Sequence, residues 1–269
     1  MNRIASGKDF ARFALGSLTV TALRDGHVDM PTSRLRQSGD RPFGADMPGE
    51  VTLVAGRLRL SVNAFLVAGQ GGAVLIDAGA ADAWEPSMGR LLQALAEAGV
   101  ARDAIRTVAF THTHIDHVGG LVAADGSDAF PKLDTVLIPE KEQRLFAHHE
   151  RLARFRTRAV PFADGFKLGN GITARAAEGH EVGHTAFEVS SGGEMLLVWG
   201  DIVHVPSIQF TRPELTWEFD ADQAHARDTR RRFFDLAARP GVSVAGAHLD
   251  FPGVGSLTRA GDGFRFSPA

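Results

Sequence analysis

The stretch from Thr111 to Gly120, which reads THTHIDHVGG, concentrates the side chains best suited to chemistry. Within six positions it places His112, His114, Asp116 and His117. Imidazole nitrogens and carboxylate oxygens suit the ligand preferences of zinc. Three imidazoles and a carboxylate cannot be buried together without partners, because each would lose its hydration. The pattern therefore predicts a metal site, and the alternative is a solvated, His-rich loop.

A short buried strand is expected to lead into this cluster. Positions 107–110 read TVAF, a mostly apolar run with a β-branched residue at its start. Gly119 and Gly120 bound the polar turn on its other side.

The pattern HxHxDH after a strand, followed by two glycines, resembles the signature of the metallo-β-lactamase fold superfamily. The resemblance implies an α/β fold, a four-layer αββα sandwich with a metal site, usually dinuclear, at one edge of its two sheets. The family pattern continues with a Gly-His motif, a Gly-Asp motif and a late histidine, which His184, Asp201 and His248 match in that order. The match spans most of the chain.

The resemblance also implies two zinc ions per chain, although other divalent metals suit the same donors. The expected ligands form two triads and one bridge: His112, His114 and His184; Asp116, His117 and His248; and Asp201. A hydroxide shared by the two ions would attack a carbonyl carbon or a phosphorus atom. Asp116 would carry a proton to the leaving group, as its family counterpart is thought to do.

Departures from the family pattern narrow the substrate class. Cysteine is absent, which excludes the β-lactamase subgroup with a cysteine ligand, and Asp201 argues against the subgroup without a bridging carboxylate. Glu181 and Val182 stand where Thr-Pro is usual. His204 stands where N-acyl homoserine lactone lactonases often have a tyrosine. We expect His204 to donate to a developing oxyanion or to the lactone carbonyl, or else simply to pack beside the site.

Stretches at both ends of the chain and around the Gly-Asp motif give a closer resemblance. VTALRDGHVDMP, LVWGDIVHVPSIQF and the run from GAHLDFPGVGSL to GFRFSP resemble the methyl parathion hydrolase-like branch. That branch includes organophosphorus, lactone and aryl-ester hydrolases with aromatic leaving-group pockets. The candidate pocket residues, each of which could instead belong to the core, are Phe146, Phe155, Phe162 and Phe210. The leading hypothesis is a dinuclear zinc hydrolase of lactones or aryl esters, with phosphotriester hydrolysis as a main or side activity.

Other functions on the same fold remain open at this stage. They are an iron-dependent sulfur oxidoreductase of the persulfide dioxygenase type, a β-lactamase-type hydrolase, a nuclease and a non-catalytic binding scaffold. A formal net charge of −3 and the lack of a basic stripe weigh against nucleic acid as a partner. The complete ligand set weighs against a scaffold.

Composition is typical of a soluble protein, with 44% apolar and 23% charged residues. We expect one domain over residues 1–269, with an N-terminal arm at about 27–50 and a helical insertion at about 140–160. The arm and the resemblance suggest a homodimer, and the insertion is expected to lie over the site, with His148 and His149 at the surface. No apolar leader or run of about 20 apolar residues is seen, so we expect no membrane partner and a cytoplasmic location. A periplasmic location remains the alternative if the chain was trimmed.

The remaining pattern predicts the elements around the site. Asp77, at the end of a strand, is expected near the metal ions by resemblance. Strands are predicted over 17–24, 51–56, 58–68, 73–76, 135–138, 165–167, 172–176, 185–190, 195–199 and 242–245, helices over 86–99 and 220–238, and a final hairpin over 251–266.

Overall fold

A computed structural model describes residues 1–44 and 47–269. The strands in chain order are β1 (Asn2–Ser6), β2 (Phe10–Leu15), β3 (Leu18–Met30), β4 (Leu35–Gln37), β5 (Arg41–Pro42), β6 (Leu58–Gly69), β7 (Gly72–Ile76), β8 (Thr107–Ala109), β9 (Thr135–Pro139), β10 (Ala159–Phe162), β11 (Lys167–Gly169), β12 (Ile172–Ala176), β13 (Thr185–Ser191), β14 (Glu194–Val198), β15 (Thr216–Trp217), β16 (Val242–Ala245), β17 (Val254–Ala260) and β18 (Gly263–Pro268). The α-helices are α1 (Leu91–Glu97), α2 (Ile115–Val118), α3 (Gln143–His148), α4 (Pro206–Gln209) and α5 (Gln223–Ala237). Short 3₁₀ helices cover Thr32–Arg34, Arg102–Ala104, Gly119–Leu121, Glu140–Glu142, Glu150–Arg158 and Gly200–Ile202. Among the described residues, no helix is both long enough and apolar enough to cross a membrane.

Two large sheets carry the fold. The first has the order β1-β2-β3-β6-β7-β8-β9-β10 and the second the order β11-β12-β13-β14-β16-β17-β18, while β15-β4-β5 form a small third sheet. In the first sheet β7, β8, β9 and β10 run parallel, and in the second β14 and β16 do. Because the carboxyl ends of parallel strands lie at the same edge, the segments after β7, β8, β14 and β16 meet there.

Apolar side chains fill three layers and confirm the αββα sandwich. Phe65 of the first sheet and Phe187 of the second share the buried cluster between the sheets. Leu95 of α1 belongs to the cluster on the outer face of the first sheet, and Phe233 of α5 to that on the outer face of the second. Each sheet therefore buries one face against the other sheet and one against helices.

Three element predictions are wrong at specific points. Asp25-Gly26 does not end a strand: β3 continues to Met30 through an irregularity at Gly26, which has φ +152°. A Cβ there would lie 2.1 Å from the carbonyl oxygen of Ser87, so only glycine fits. Residues 51–56 form no strand, because Ala55 and Gly56 turn the chain with positive φ. The helix expected from position 86 starts only at Leu91.

The described part of the N-terminal arm packs against its own chain. Since β3 extends to Met30, the irregular part begins at Pro31. Leu35 and Phe43 pack in a buried cluster with Leu60 and Trp217, the last of which lies on β15 beside β4. Ala45 and Asp46, within the predicted arm, lie outside the described residues.

Candidate metal centre

Strand ends from both sheets supply the polar cluster. The THTHIDH turn follows β8, the segment with Asp201 follows β14, and His248 follows β16. The loop between β12 and β13 supplies His180. Six of the seven predicted ligands thus come together with one histidine that the sequence analysis did not choose. The groups whose ligand atoms lie within 4.8 Å of one another include His112, His114, His180 and Asp201, and separately Asp116, His117 and His248.

Asp201 lies at the centre of these side chains. Its Oδ2 is 3.0 Å from His248 Nε2, 3.3 Å from His180 Nε2 and 3.9 Å from His112 Nε2. Its Oδ1 is 3.2 Å from His117 Nε2. One carboxylate therefore faces histidines of both groups, as a bridging ligand must.

Asp116 and His114 complete the two groups. Asp116 Oδ2 is 3.6 Å from the Nε2 atoms of His117 and His248. His114 Nδ1 is 3.2 Å from His180 Nε2. Each group therefore offers three donor atoms facing a common centre, with Asp201 between the groups.

Several of these donors are buried and have no hydrogen-bond partner. They are His112 Nε2, His117 Nε2 and Asp201 Oδ1. A buried polar atom without a partner costs about 1–3 kcal/mol, so such atoms rarely occur together without a ligand. The donor set, nitrogen and carboxylate oxygen with no sulfur, fits zinc. The residues present therefore suit metal ions.

The outward-facing nitrogens of the clustered histidines have fixed partners. His117 Nδ1 donates to Asp77 Oδ2 at 2.9 Å, which is the contact expected for Asp77. The other pairs are His112 Nδ1 with Thr111 Oγ1 at 3.1 Å, His114 Nε2 with Glu181 Oε1 at 2.8 Å, His180 Nδ1 with Asp220 Oδ1 at 2.9 Å, and His248 Nδ1 with the Ser61 carbonyl at 2.8 Å. These partners orient the rings so that the other nitrogen faces the centre.

His184, predicted as the third donor of the first triad, is in neither group. Its Nδ1 donates to the Ala177 carbonyl at 2.8 Å, and its Nε2 accepts the backbone N–H of Asp201 at 3.0 Å. Both ring nitrogens are therefore occupied by backbone groups. The geometry favours His180 as the third donor. The motif GHEVGH contains both His180 and His184, so the sequence already offered His180 as an alternative to His184.

Electrostatics hold the cluster together in its metal-free form. Burial alone would raise the pKa of Asp201, but the surrounding histidines, His248 first, lower it well below its usual range. Burial also opposes the charged form of His117, yet Asp201 and Asp116 raise its pKa well above the usual value. Metal ions would displace such protons, so metal binding should weaken as pH falls.

His204 lies against the centre rather than within either triad. Its Nε2 is 3.3 Å from Asp201 Oδ2, and its ring stacks on Trp217 at 5.0 Å and on His248 at 5.2 Å between centroids. Neither ring nitrogen makes a hydrogen bond. Burial lowers the pKa of His204 to about 3, so the ring is neutral at pH 7 and carries a single N–H.

Aromatic and aliphatic side chains wall the small cavity over the centre, whose volume is about 30 Å³. They are Trp84, Trp217 and Phe219 with Val28, Met30 and Leu60. The four phenylalanines proposed from sequence lie instead in the core: Phe146, Phe155, Phe162 and Phe210. The four phenylalanines are buried because apolar residues surround them in these clusters. Trp84 and Phe219, in contrast, are partly exposed and lie outside the helices and strands.

The helical insertion lies behind the ligand turns rather than over the cavity. No residue of 140–160 lines the cavity in the described part of the chain. Glu142, which is fully buried, instead accepts the backbone N–H and hydroxyl of Thr113, both at 2.7 Å, and the N–H of Gly183 at 3.2 Å. His148 is exposed, but His149 is half-buried and donates to the Thr113 carbonyl at 3.1 Å. The insertion thus fixes the turn between His112 and His114.

Comparisons with known proteins find the same family and the same fold. Residues 57–248 match the model of the Metallo-beta-lactamase superfamily. Among solved structures, the hydrolase AbOPH of the beta lactamase superfamily is 27% identical, with a TM-score of 0.85 over 98% of this chain and 99% of that one. AidC, a dizinc quorum-quenching lactonase, is 22% identical, with a TM-score of 0.80 over 97% of both chains. A quorum-quenching N-acyl homoserine lactone hydrolase is 18% identical, with a TM-score of 0.65 over 88% of this chain and 93% of that one.

A search of curated proteins finds no match. The matched region contains the two groups of clustered side chains and Asp201. Family, fold neighbours and the His/Asp cluster together support a metal-dependent hydrolase. The chain belongs to the metallo-β-lactamase superfamily.

Proposed function

We propose that this protein is a dinuclear zinc hydrolase of lactones or aryl esters, with phosphotriester hydrolysis as a further activity. The observation that carries the proposal is the convergence of five histidines and two aspartates on one point. Three of their donor atoms are buried without a hydrogen-bond partner. This arrangement fits two cations sharing one carboxylate better than it fits a metal-free core.

His112, His114 and His180 would hold one ion. Asp116, His117 and His248 would hold the other, with Asp201 between them. When bound, two zinc ions supply an activated water at neutral pH and polarise the oxygen that gains negative charge.

Asp116 and His204 have distinct expected roles toward the substrate. Asp116 faces the cavity, and one of its carboxylate oxygens can carry a proton to the leaving group. His204 also faces the cavity, and its ring is held by stacking on Trp217. A neutral ring held in this way can donate its N–H to a developing oxyanion without reorganising.

The walls of the cavity suggest an apolar, uncharged substrate. Since a cavity of about 30 Å³ holds little more than a water molecule, an aryl group or a short acyl chain would lie at its mouth, against the exposed rings of Trp84 and Phe219. Within the described residues, no lysine or arginine lines this cavity, so a phosphate monoester or another dianion would find no side-chain counter-charge. Lactones, aryl esters and triesters are neutral and match these walls. The lactonase activity in the name of AidC agrees with the class.

Metal analysis and a substrate panel test the proposal. Protein purified without added metal should contain zinc, about two ions per chain after reconstitution. It should hydrolyse at least one of an acyl homoserine lactone, dihydrocoumarin, p-nitrophenyl acetate and a paraoxon-type triester. Chelator-treated protein is the matched control, and added zinc should restore its activity. One ferrous iron per chain with no hydrolysis would contradict the proposal and favour a sulfur oxidoreductase, and turnover of a β-lactam alone would change the substrate class.

A further inference from the structure

Glu181 joins the loop that carries His180 to the turn that carries His114. Its Oε1 accepts the Nε2–H of His114 at 2.8 Å. Nothing in the triads themselves requires a charge there.

His114 needs such a partner more than the other ligand histidines do. Its side chain is 36% exposed, whereas the side chains of His112, His117, His180 and His248 are buried. Packing and hydrogen bonds together hold the other four rings, whereas the exposed side of the His114 ring has less packing, so its orientation depends more on its hydrogen-bond partner. The side chain of Glu181 is itself only 18% exposed, so its carboxylate is a well-placed acceptor beside His114.

The contact also selects which nitrogen of His114 faces the centre. Because Nε2 carries the proton that Glu181 accepts, Nδ1 keeps its lone pair. That atom lies 3.2 Å from His180 Nε2, whose own ring is held through Nδ1 by Asp220. Two nitrogens, each held by a carboxylate at the opposite side of its ring, thus face the position of the first ion.

We propose that Glu181 is a positioning residue that orients His114 and strengthens binding of the ion held by His112, His114 and His180. This inference rests on the proposed function, because it assumes that the cluster binds metal. Carboxylates behind ligand histidines raise ligand basicity, and their loss typically weakens metal binding about 10–100-fold.

Zinc titration in competition with a chromophoric chelator tests the role of Glu181. Glu181→Ala should weaken zinc binding by His112, His114 and His180 about 10–100-fold. The zinc affinity of the site formed by Asp116, His117 and His248 should stay close to that of the wild type. Glu181→Gln keeps an acceptor for His114 but loses the charge, so its zinc affinity should lie between that of Glu181→Ala and that of the wild type. Glu178→Gln is the matched control, because Glu178 loses the same charge in the same loop but pairs with Lys141 at the surface.

Thermal unfolding of the metal-free proteins separates positioning from general stability. If Glu181 acts as proposed, metal-free Glu181→Ala should unfold within a few degrees of wild type while losing zinc affinity. Equal zinc affinity in wild type and Glu181→Ala would overturn the inference, as would a parallel loss in Glu178→Gln. Wild-type protein that binds no zinc would overturn the proposed function as well, so the two failures are distinguishable.

Discussion

Replacing His180 and His184 one at a time should separate metal binding from structural support. His180→Ala removes a ring whose Nε2 faces the centre, so the first triad keeps two of its three nitrogens. His184→Ala removes a ring whose two nitrogens are both bonded to backbone groups. We therefore expect the first variant to lose zinc and the second to lose stability.

The structure gives a magnitude for the loss of stability. Without the His184 ring, the Asp201 N–H and the Ala177 carbonyl lose their partners in a buried region. Each unpaired buried group costs about 1–3 kcal/mol, so the variant should be destabilised by about 2–6 kcal/mol. At about 2–4 °C per kcal/mol for a chain of this size, the unfolding temperature should fall by about 4–24 °C.

The loss of zinc in His180→Ala should exceed the effect of losing an outer carboxylate. The zinc affinity of the first triad should therefore fall by more than about 100-fold in His180→Ala. The buried Asp220 loses its His180 partner but keeps the N–H of Trp217 at 2.9 Å and has Arg230 at 3.8 Å, which limits the cost to folding.

Zinc stoichiometry after dialysis, chelator competition and thermal unfolding without metal make up the assay. His184→Gln is added because it keeps a side-chain amide near both backbone groups and guards against a misfolded alanine variant. Two tightly bound zinc ions in His180→Ala, with fewer in folded His184→Gln, would refute this reasoning. That result would restore His184 as the ligand.

Four further predictions follow from the same geometry. Asp116→Asn should reduce kcat about 10²–10⁴-fold on an aliphatic lactone and less on a p-nitrophenyl ester, whose leaving group needs no proton, and equal losses would exclude a proton-transfer role. His248→Ala should lose the second zinc before the first, as stoichiometry during stepwise chelation would show. The free energy of unfolding of the metal-free protein should fall as pH falls from about 6.5 toward 3, because the pKa of His204 is lowered to about 3 in the folded state. Chemical denaturation at pH 4 should show that His204→Phe loses about 3 kcal/mol less of this free energy than the wild type does. The protein is expected to be a homodimer, and a monomer mass by light scattering at micromolar concentration would contradict this.

The strands next to the site could be predicted because their signals are local, whereas the four-layer sandwich was expected only from the resemblance of the HxHxDH motif. The apolar runs at 58–68 and 107–110 match β6 and the approach to the THTHIDH turn. The cluster from His112 to His117 needs only a strand and a turn to bring its side chains together. Spacing within one short segment is therefore enough to predict a metal site.

The N-terminal region was harder to predict because its constraints are tertiary. The β1-β2 hairpin was not predicted. The extension of β3 past Gly26 depends on the close approach of Ser87, which is distant in sequence. The cavity walls have the same origin, since Trp84 and Trp217 come from unrelated segments that periodicity does not connect. Composition and spacing carry no information about contacts between segments that are distant in the sequence.

The two histidines of GHEVGH show where spacing stops being informative. His180 lies in the outer part of the loop, and His184 lies immediately before β13. The two histidines therefore reach different depths of the site. At the deeper level, Gly200 has φ +54°, and a Cβ there would lie 2.6 Å from His184 Nε2. The missing side chain lets the ring approach the backbone and accept the N–H of Asp201. His184 thereby fixes the residue whose carboxylate lies between the two triads, so both histidines serve the site, His180 by facing its centre and His184 by holding Asp201 in place.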